Sequence, residues 1–252
     1  MTQRIIGIMG ALPEEINGVV NLLQHKEEYK IGKRTYYTGT INDQKAVVVF
    51  SRIGKVASAA TVSTLILKFN ITELIFTGVA GGISPHLKIG DIVIGTDLVQ
   101  HDMDASPLFP QFEIPLIGKS IFKSDSKLIE NAKNAVQHIF ENEYLHQVIS
   151  AEDLKKFNIH SPKLYTGLIA SGDLFFKDQL QKDHLISHFP ETQCVEMEGA
   201  AVAQVCYEFG IPFVIIRTIS DDADQNSVVD FTEFTVKVSN IYSIDIVKNI
   251  IK

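Results

Sequence analysis

Only two cysteines, Cys194 and Cys206, occur in the 252 residues, one in a segment that reads as a strand and one in the helix after it. So few thiols argue against a disulfide framework or a metal site, and core thiols in a reducing cytoplasm are the expectation. No apolar stretch approaches the roughly 20 residues that a membrane span needs. The chain enters its first apolar run, 5–9, almost at once, which leaves too little room for a signal-peptide core. No basic run stands out either. Lys and Arg number 23 against 30 Asp and Glu, a net charge of −7, which speaks against a nucleic-acid partner held by phosphate contacts. Internal repeats, low-complexity tracts and Pro/Gly-rich linkers are missing, so one continuous domain over 1–252 is expected.

Apolar runs at 5–9, 46–50, 74–77, 92–95, 164–170, 194–197 and 213–219 read as buried strands, and 36–41 as a half-exposed hairpin partner of the second run. Helical periodicity occupies 14–23, 55–68, 127–140, 199–209 and 231–250, the last with an aromatic and aliphatic face to set on the sheet. Strands alternating with helices predict an α/β fold: a three-layer α/β/α sandwich around a central mixed, mostly parallel twisted sheet. The charged, His-containing stretch 141–162 interrupts the alternation and is expected as a surface excursion.

Two of the strands run straight into acids. Val195-Glu196-Met197-Glu198 opens one helix, and the run ending Arg217-Thr218-Ile219-Ser220-Asp221 follows it. Ligands bind at the carboxyl ends of strands in open α/β folds, and an ionised carboxylate there is costly unless paired or wet. Glu198 and Asp221 follow runs too apolar to lie outside, so a cleft that holds a polar ligand and handles protons is expected. A third acid-bearing turn, Gly7-Ile8-Met9-Gly10-Ala11-Leu12-Pro13-Glu14-Glu15, reads as strand, tight turn and helix start. Its acids suit a helix N-terminus as dipole charges, and one of them suits a base if the turn borders the cleft. Thr77-Gly78-Val79-Ala80-Gly81-Gly82 ends a strand in glycines without the spacing of a dinucleotide or phosphate loop, so it says that something approaches the backbone and not what. His101-Asp102-Met103-Asp104 lacks a second ligand cluster, and a solvated or subunit-contacting loop is expected there rather than a metal site.

Seven strings occur in an order that resembles the 5′-methylthioadenosine/S-adenosylhomocysteine nucleosidases of the purine nucleoside phosphorylase superfamily. They are the Gly7 to Glu15 turn, Ser51-Arg52-Ile53-Gly54-Lys55-Val56, the Thr77 to Gly82 turn, Gly90-Asp91-Ile92-Val93-Ile94, Ser171-Gly172-Asp173-Leu174-Phe175-Phe176, Val195 to Ala200, and Arg217 to Asp221. Each is soft alone; seven in register are specific. The resemblance implies hydrolysis of the bond between adenine N9 and ribose C1′, with no cofactor and no metal. It implies that Asp221 is the acid that protonates N7 of the leaving base, held by Ser220. Such an acid must keep its proton near neutral pH, by burial or by the bound purine. It implies further that Glu15 activates the water and that Glu198 grips the ribose 2′-hydroxyl beside the developing positive charge. Arg217 would order water and acids through charge-assisted bonds.

By the same carry-over, Phe175 stacks on adenine and the Phe176 backbone reads the purine edge. Met197 lies under the ribose, Leu12, Ile53 and Phe231 line the ribose and the 5′-thio substituent, and Glu196 and Val79 count among the substrate-binding residues. Plain core packing is the ordinary fate of such phenylalanines; the register of the match lifts them above it. The Pro-rich segment 101–115 is expected to expose Leu108, Phe109, Phe112, Ile114 and the adjoining Leu116 close together, a patch that a monomer rarely leaves open. In relatives this loop crosses a two-fold interface, which implies a homodimer in which Ala105, Leu108 and Pro115 serve the partner's pocket.

Two residues depart from the family pattern. Val79 replaces a small hydroxyl residue, and Arg52 stands where some members have glycine, a cation near the cleft that could bind an anion. A phosphorylase, a futalosine or aminodeoxyfutalosine hydrolase and a non-catalytic nucleoside-binding protein remain the alternatives. Phe76, at a position where phosphate users carry a basic residue, and the Glu14-Glu15 pair favour water over phosphate.

Overall fold

The computed structural model describes residues 3–141, 144–221, 223 and 231–252. Its strands are β1 (Ile5–Gly10), β2 (Gln24–Ile31), β3 (Arg34–Ile41), β4 (Gln44–Phe50), β5 (Glu73–Gly82), β6 (Ile92–Gln100), β7 (Ile121–Lys123), β8 (Leu164–Ser171), β9 (Thr192–Glu196) and β10 (Phe213–Asp221). The helices are α1 (Pro13–Val20), α2 (Lys55–Phe69), α3 (Ser126–Phe140), α4 (Tyr144–Val148), α5 (Ala151–Lys156), α6 (Gln179–His188), α7 (Gly199–Phe209), α8 (Phe231–Phe234) and α9 (Asn240–Ile250). A single mixed sheet carries all ten strands. Its parallel ladders are β4–β1, β1–β5, β5–β10, β6–β8 and β8–β9, and its antiparallel ones β2–β3, β3–β4, β10–β6, β6–β7 and β5–β9. Apolar side chains of α1, α3 and α9 cover one face, and those of α2 and α7 the other, so the three layers expected are present.

The sheet closes on itself at one end, which periodicity alone could not show. β5 pairs with β1 and β10 along its length, and its last residues also pair with β9, Gly81 opposite Val195 and Gly82 opposite Cys194. β5 and β10 run opposite to β8 and β9, yet the curl gathers the carboxyl ends of all four strands around one point. The site forms there.

Turn chemistry sets the hairpin edge. Residues Gly32 and Lys33 (φ 56° and 58°) join β2 to β3, and Asn42 and Asp43 (φ 49° and 62°) join β3 to β4. Two positive φ values in a two-residue loop match the twist of the flanking strands. β2, Gln-His-Lys-Glu-Glu-Tyr-Lys-Ile, lies on the sheet edge and is exposed over most of its length. It has no apolar alternation to announce it, and pairing with β3 alone makes it a strand. α6 and β7 likewise lie outside the segments expected from the sequence.

The stretch 141–162 is more than a surface excursion. Leu145, Ile149, Leu154, Phe157 and Ile159 are buried in the same core as β1 and α9. Its exposed charges had masked these apolar positions. At the C-terminus Phe234, Val238, Tyr242, Ile246 and Ile250 recur every fourth residue and are all buried. An ideal α-helix would turn such a row by about 40° per step. A π-helical turn at Thr235–Ser239 takes up the extra residue near its start.

Both cysteines are free and buried. Burial pushes both thiols well above their ordinary range, which suits inert core groups. Among the described residues no helix is long and apolar enough to cross a membrane.

Candidate active site

A cavity of about 170 Å³ opens where the strand ends converge, and the ends of β1, β5, β9 and β10 each bring residues to it. Leu12, Glu15, Ile53, Val79, Phe175, Phe176, Glu196, Met197, Glu198, Ser220, Asp221 and Phe231 all line it. No Lys, Arg or His is among its described lining residues.

Glu15 lies in the first turn of α1 and folds back over that helix's open end. Its Oε2 accepts from the backbone N–H of Ala11 (2.6 Å) and Leu12 (2.9 Å), and its Oε1 from that of Val79 (3.1 Å). These donors would otherwise be orphans at a helix start and a strand end. Burial pushes the Glu15 carboxyl up, while the Arg217 charge and the three amides pull it back part of the way. The bond from position 79 to Glu15 is made by the backbone N–H, so it does not depend on the side chain there. Glu14 does not line the cavity.

The glycines of 77–82 make room for acids. A Cβ on Gly78 would sit 2.9 Å from Glu15 Oε1, and one on Gly81 would sit 3.1 Å from Asp221 Oδ1 and 2.8 Å from Ala223 Cβ. What approaches the backbone there is the protein's own carboxylates. Asp221 is oriented from both sides: Ser220 Oγ donates to Oδ2 and the Ala223 N–H to Oδ1, each at 2.7 Å.

The two acids of 195–198 have different fates. Glu196 accepts from Arg217 Nη2 (2.7 Å), from the N–H groups of Glu198 and Gly199, and from Ser171 Oγ. Its oxygens are committed inside the protein, where they cap the start of α7, while the side chain still borders the cavity. Among the described residues the Glu198 carboxylate accepts one hydrogen bond, from the Gly54 N–H at 2.8 Å. Burial first, and the neighbouring Glu196 charge second, push its carboxyl up to about 8.

Arg217 is not among the described lining residues of the cavity, and of the acids expected to be ordered by it, it holds Glu196 directly. It is 1% exposed and lies behind the acids. Nη1 donates to the carbonyls of Phe76 (3.2 Å) and Ile216 (3.1 Å), and the guanidinium carbon lies 4.2 Å from the centre of the Phe76 ring. A strand-interior arginine can be held this deep only by a buried carboxylate, which Glu196 provides. Its charge still acts on Glu15 and Glu198 through space.

Phe175 is 48% exposed at the cavity, and Phe176 is buried with the His101 ring edge-on at 5.2 Å. The acids around His101 have structural work. Asp102 accepts from Lys55 Nζ (2.5 Å) and from the Asp173 N–H (2.9 Å). Arg52 turns away from the cavity, its Nη2 donating to the Lys33 carbonyl at 2.6 Å. In the loop 101–116, Leu108 and Leu116 are 84% and 92% exposed, but Ile114 is buried and Phe112 packs on Phe189 within the chain. The open patch is therefore smaller than expected. Ala105, Leu108 and Pro115 do not line the cavity of their own chain.

Comparison with known proteins gives concordant results. The family model described as the phosphorylase superfamily matches residues 5–252. A 5′-methylthioadenosine/S-adenosylhomocysteine nucleosidase from Exiguobacterium is 34% identical over 230 residues, 91% of this chain and 90% of the relative. An aminodeoxyfutalosine nucleosidase from Helicobacter pylori is 36% identical over 233 residues, 92% of each chain. The crystal structure of a 5′-methylthioadenosine/S-adenosylhomocysteine nucleosidase from Neisseria meningitidis in complex with methylthio-immucillin-A superposes with a TM-score of 0.85 at 32% identity, covering 99% of both chains.

Proposed function

The chain belongs to the 5′-methylthioadenosine/S-adenosylhomocysteine nucleosidase family of the phosphorylase superfamily, and from that premise we propose that it hydrolyses the N-glycosidic bond of 5′-thio-substituted adenosines, releasing adenine and a 5-thioribose. The observation that carries the reading is a cavity bordered by Glu15, Glu196, Glu198 and Asp221 with no cation among its described lining residues. Phosphate as nucleophile needs cations and amides around a dianion; here carboxylates would repel it, and water takes its place.

In this reading Asp221 delivers its proton to adenine N7 as the N9–C1′ bond breaks, so adenine leaves neutral. Ser220 and the Ala223 amide aim the carboxyl. Glu15 holds the water and takes its proton as oxygen bonds to C1′; a carboxyl raised by burial is a better base than an ordinary one. Glu198 accepts from the ribose 2′-hydroxyl, and the positive charge that develops on the sugar favours its ionised form. The interaction therefore strengthens towards the transition state, which is what accelerates a step. Half-exposed Phe175 offers its face to the base, and Met197, Leu12, Ile53, Val79 and Phe231 enclose the sugar and its 5′ substituent.

Aminodeoxyfutalosine as substrate is the second reading, favoured by the Helicobacter pylori relative; the same acids would serve it. The enzyme is further proposed to act as a two-fold homodimer in the cytoplasm, with Ala105, Leu108 and Pro115 of each chain closing the other's pocket. Base release from methylthioadenosine, S-adenosylhomocysteine, aminodeoxyfutalosine and adenosine, with and without phosphate, tests the assignment. Adenine release independent of phosphate is expected; a ribose 1-phosphate product would refute it.

A further inference from the structure

Beside the catalytic cavity lies a second groove with the opposite electrostatic character. Its lining includes Arg34, Arg52, Ile53, Lys55 and Asp173. Ile53 is common to both and forms the partition between them. The cavity side carries four carboxylates and no described cation, whereas the groove side carries three cations and one acid.

The cations differ in how far they are already neutralised. Lys55 is paired with Asp102 at 2.5 Å, and Asp173 is occupied by the Lys55 N–H at 2.8 Å. Arg34 and Arg52 have no carboxylate partner among the described residues. Arg34 donates to the carbonyls of Gly32, Ser51 and Ala57. Arg52 donates to that of Lys33. The Gly32-Lys33 turn thus draws both guanidiniums to one spot. A guanidinium carries five N–H donors in a fork that matches a carboxylate, and among the described residues the Arg52 side chain donates one hydrogen bond.

The backbone at position 52 adds an independent sign. Arg52 holds φ 73°, in the left-handed region that favours glycine. It is fixed there by its N–H on the Ala11 carbonyl (2.9 Å), next to the turn that bears Leu12 and Glu15. A long cation kept at an exposed, strained position against the active-site turn calls for a functional account.

We propose that Arg52, supported by Arg34, is a specificity-determining subsite for a carboxylate at the far end of the substrate's 5′ substituent. The claim rests on the nucleosidase reading and deepens it. The 5′ group passes over Ile53, and its anionic terminus leaves the field of the cavity acids for the field of the guanidiniums. Desolvation would disfavour insertion of the charged end into the cavity, so the groove also orients the nucleoside. An amino-acid carboxylate and a plain carboxylic acid would both fit, and Asp173 on the same groove would add a contact for an α-ammonium.

The test compares kcat/KM for S-adenosylhomocysteine, for a 5′-carboxyalkylthioadenosine and for its neutral carboxamide, each as a ratio to methylthioadenosine. For R52Q both carboxylate ratios are expected to fall about tenfold, within the range for a hydrogen bond to a charged group, while the carboxamide ratio moves little. R52K, which keeps the charge, should retain most of the preference. A fall confined to S-adenosylhomocysteine would locate recognition in the amino acid as a whole and remove the general carboxylate claim. Ratios unchanged in R52Q, or equal losses on every substrate, would overturn the subsite and leave Arg52 as a latch on the hairpin. Absence of methylthioadenosine turnover in the unmutated protein would instead sink the nucleosidase reading, and the subsite with it.

Discussion

Arg217 Nη2 donates to Glu196 Oε2 at 2.7 Å, and the two side chains are 1% and 3% exposed. This buried pair separates two acids that sequence places two residues apart. Glu196 is consumed by the arginine and by the start of α7, whereas Glu198 keeps its oxygens open to the cavity. Removing one partner of a buried pair leaves an uncompensated charge, which typically costs about 3–5 kcal/mol. Glu196→Ala is therefore expected to lower the urea unfolding free energy by an amount in that range. A loss under about 1 kcal/mol would show that Arg217 finds another partner.

Asp221→Asn is expected to lose at least the ~10² typical of a general acid in kcat, with binding of a substrate analogue retained. The measurement is steady-state adenine release beside calorimetric binding. Turnover at the unmutated rate would place the proton donor elsewhere.

Stability of the unliganded protein should depend on Glu198 in a definite direction. Its carboxyl is raised from an ordinary 4.5 to about 8. Between those values the folded chain binds more protons than the unfolded one, so stability is full below the lower value and declines as pH rises towards the upper. The slope from one carboxyl is at most about 1.4 kcal/mol per pH unit. Unfolding curves across this window should flatten in Glu198→Gln; identical slopes in both proteins would mean that Glu198 is ionised in the empty site. Glu15, also pushed up by burial, adds to the decline in the same sense.

Leu108→Glu together with Leu116→Glu places charge on the two most exposed leucines of the 101–116 loop. Sedimentation should show the doubly substituted chain as a monomer with a raised KM for 5′-thio nucleosides. An unmutated chain that is fully active as a monomer would contradict the proposed assembly. Phe112, packed on Phe189, is a poor choice for this test, since its substitution would damage the fold.

Much of the architecture was legible because it depends on local pattern. β1, β4, β5, β6, β8, β9 and β10 coincide with apolar runs, and the acids that follow them do reach a common cavity. β2 was not legible, since an edge strand can be wholly polar and is defined by its partner. The stretch 141–162 misled because its charged residues are interleaved with the five apolar residues that anchor it.

The sequence by itself determined the layers of the fold and the set of residues competent for the chemistry, because periodicity and side-chain type are properties of neighbours along the chain. Only the tertiary structure decided the division of labour among the acids. Glu198 is held by the amide of Gly54, 144 residues earlier; Glu196 is held by Arg217 on a different strand; and Glu15 is satisfied by Val79 across the sheet. Charge state and orientation are set by burial and by partners brought close through the curl of the sheet, and no local pattern records which partner arrives.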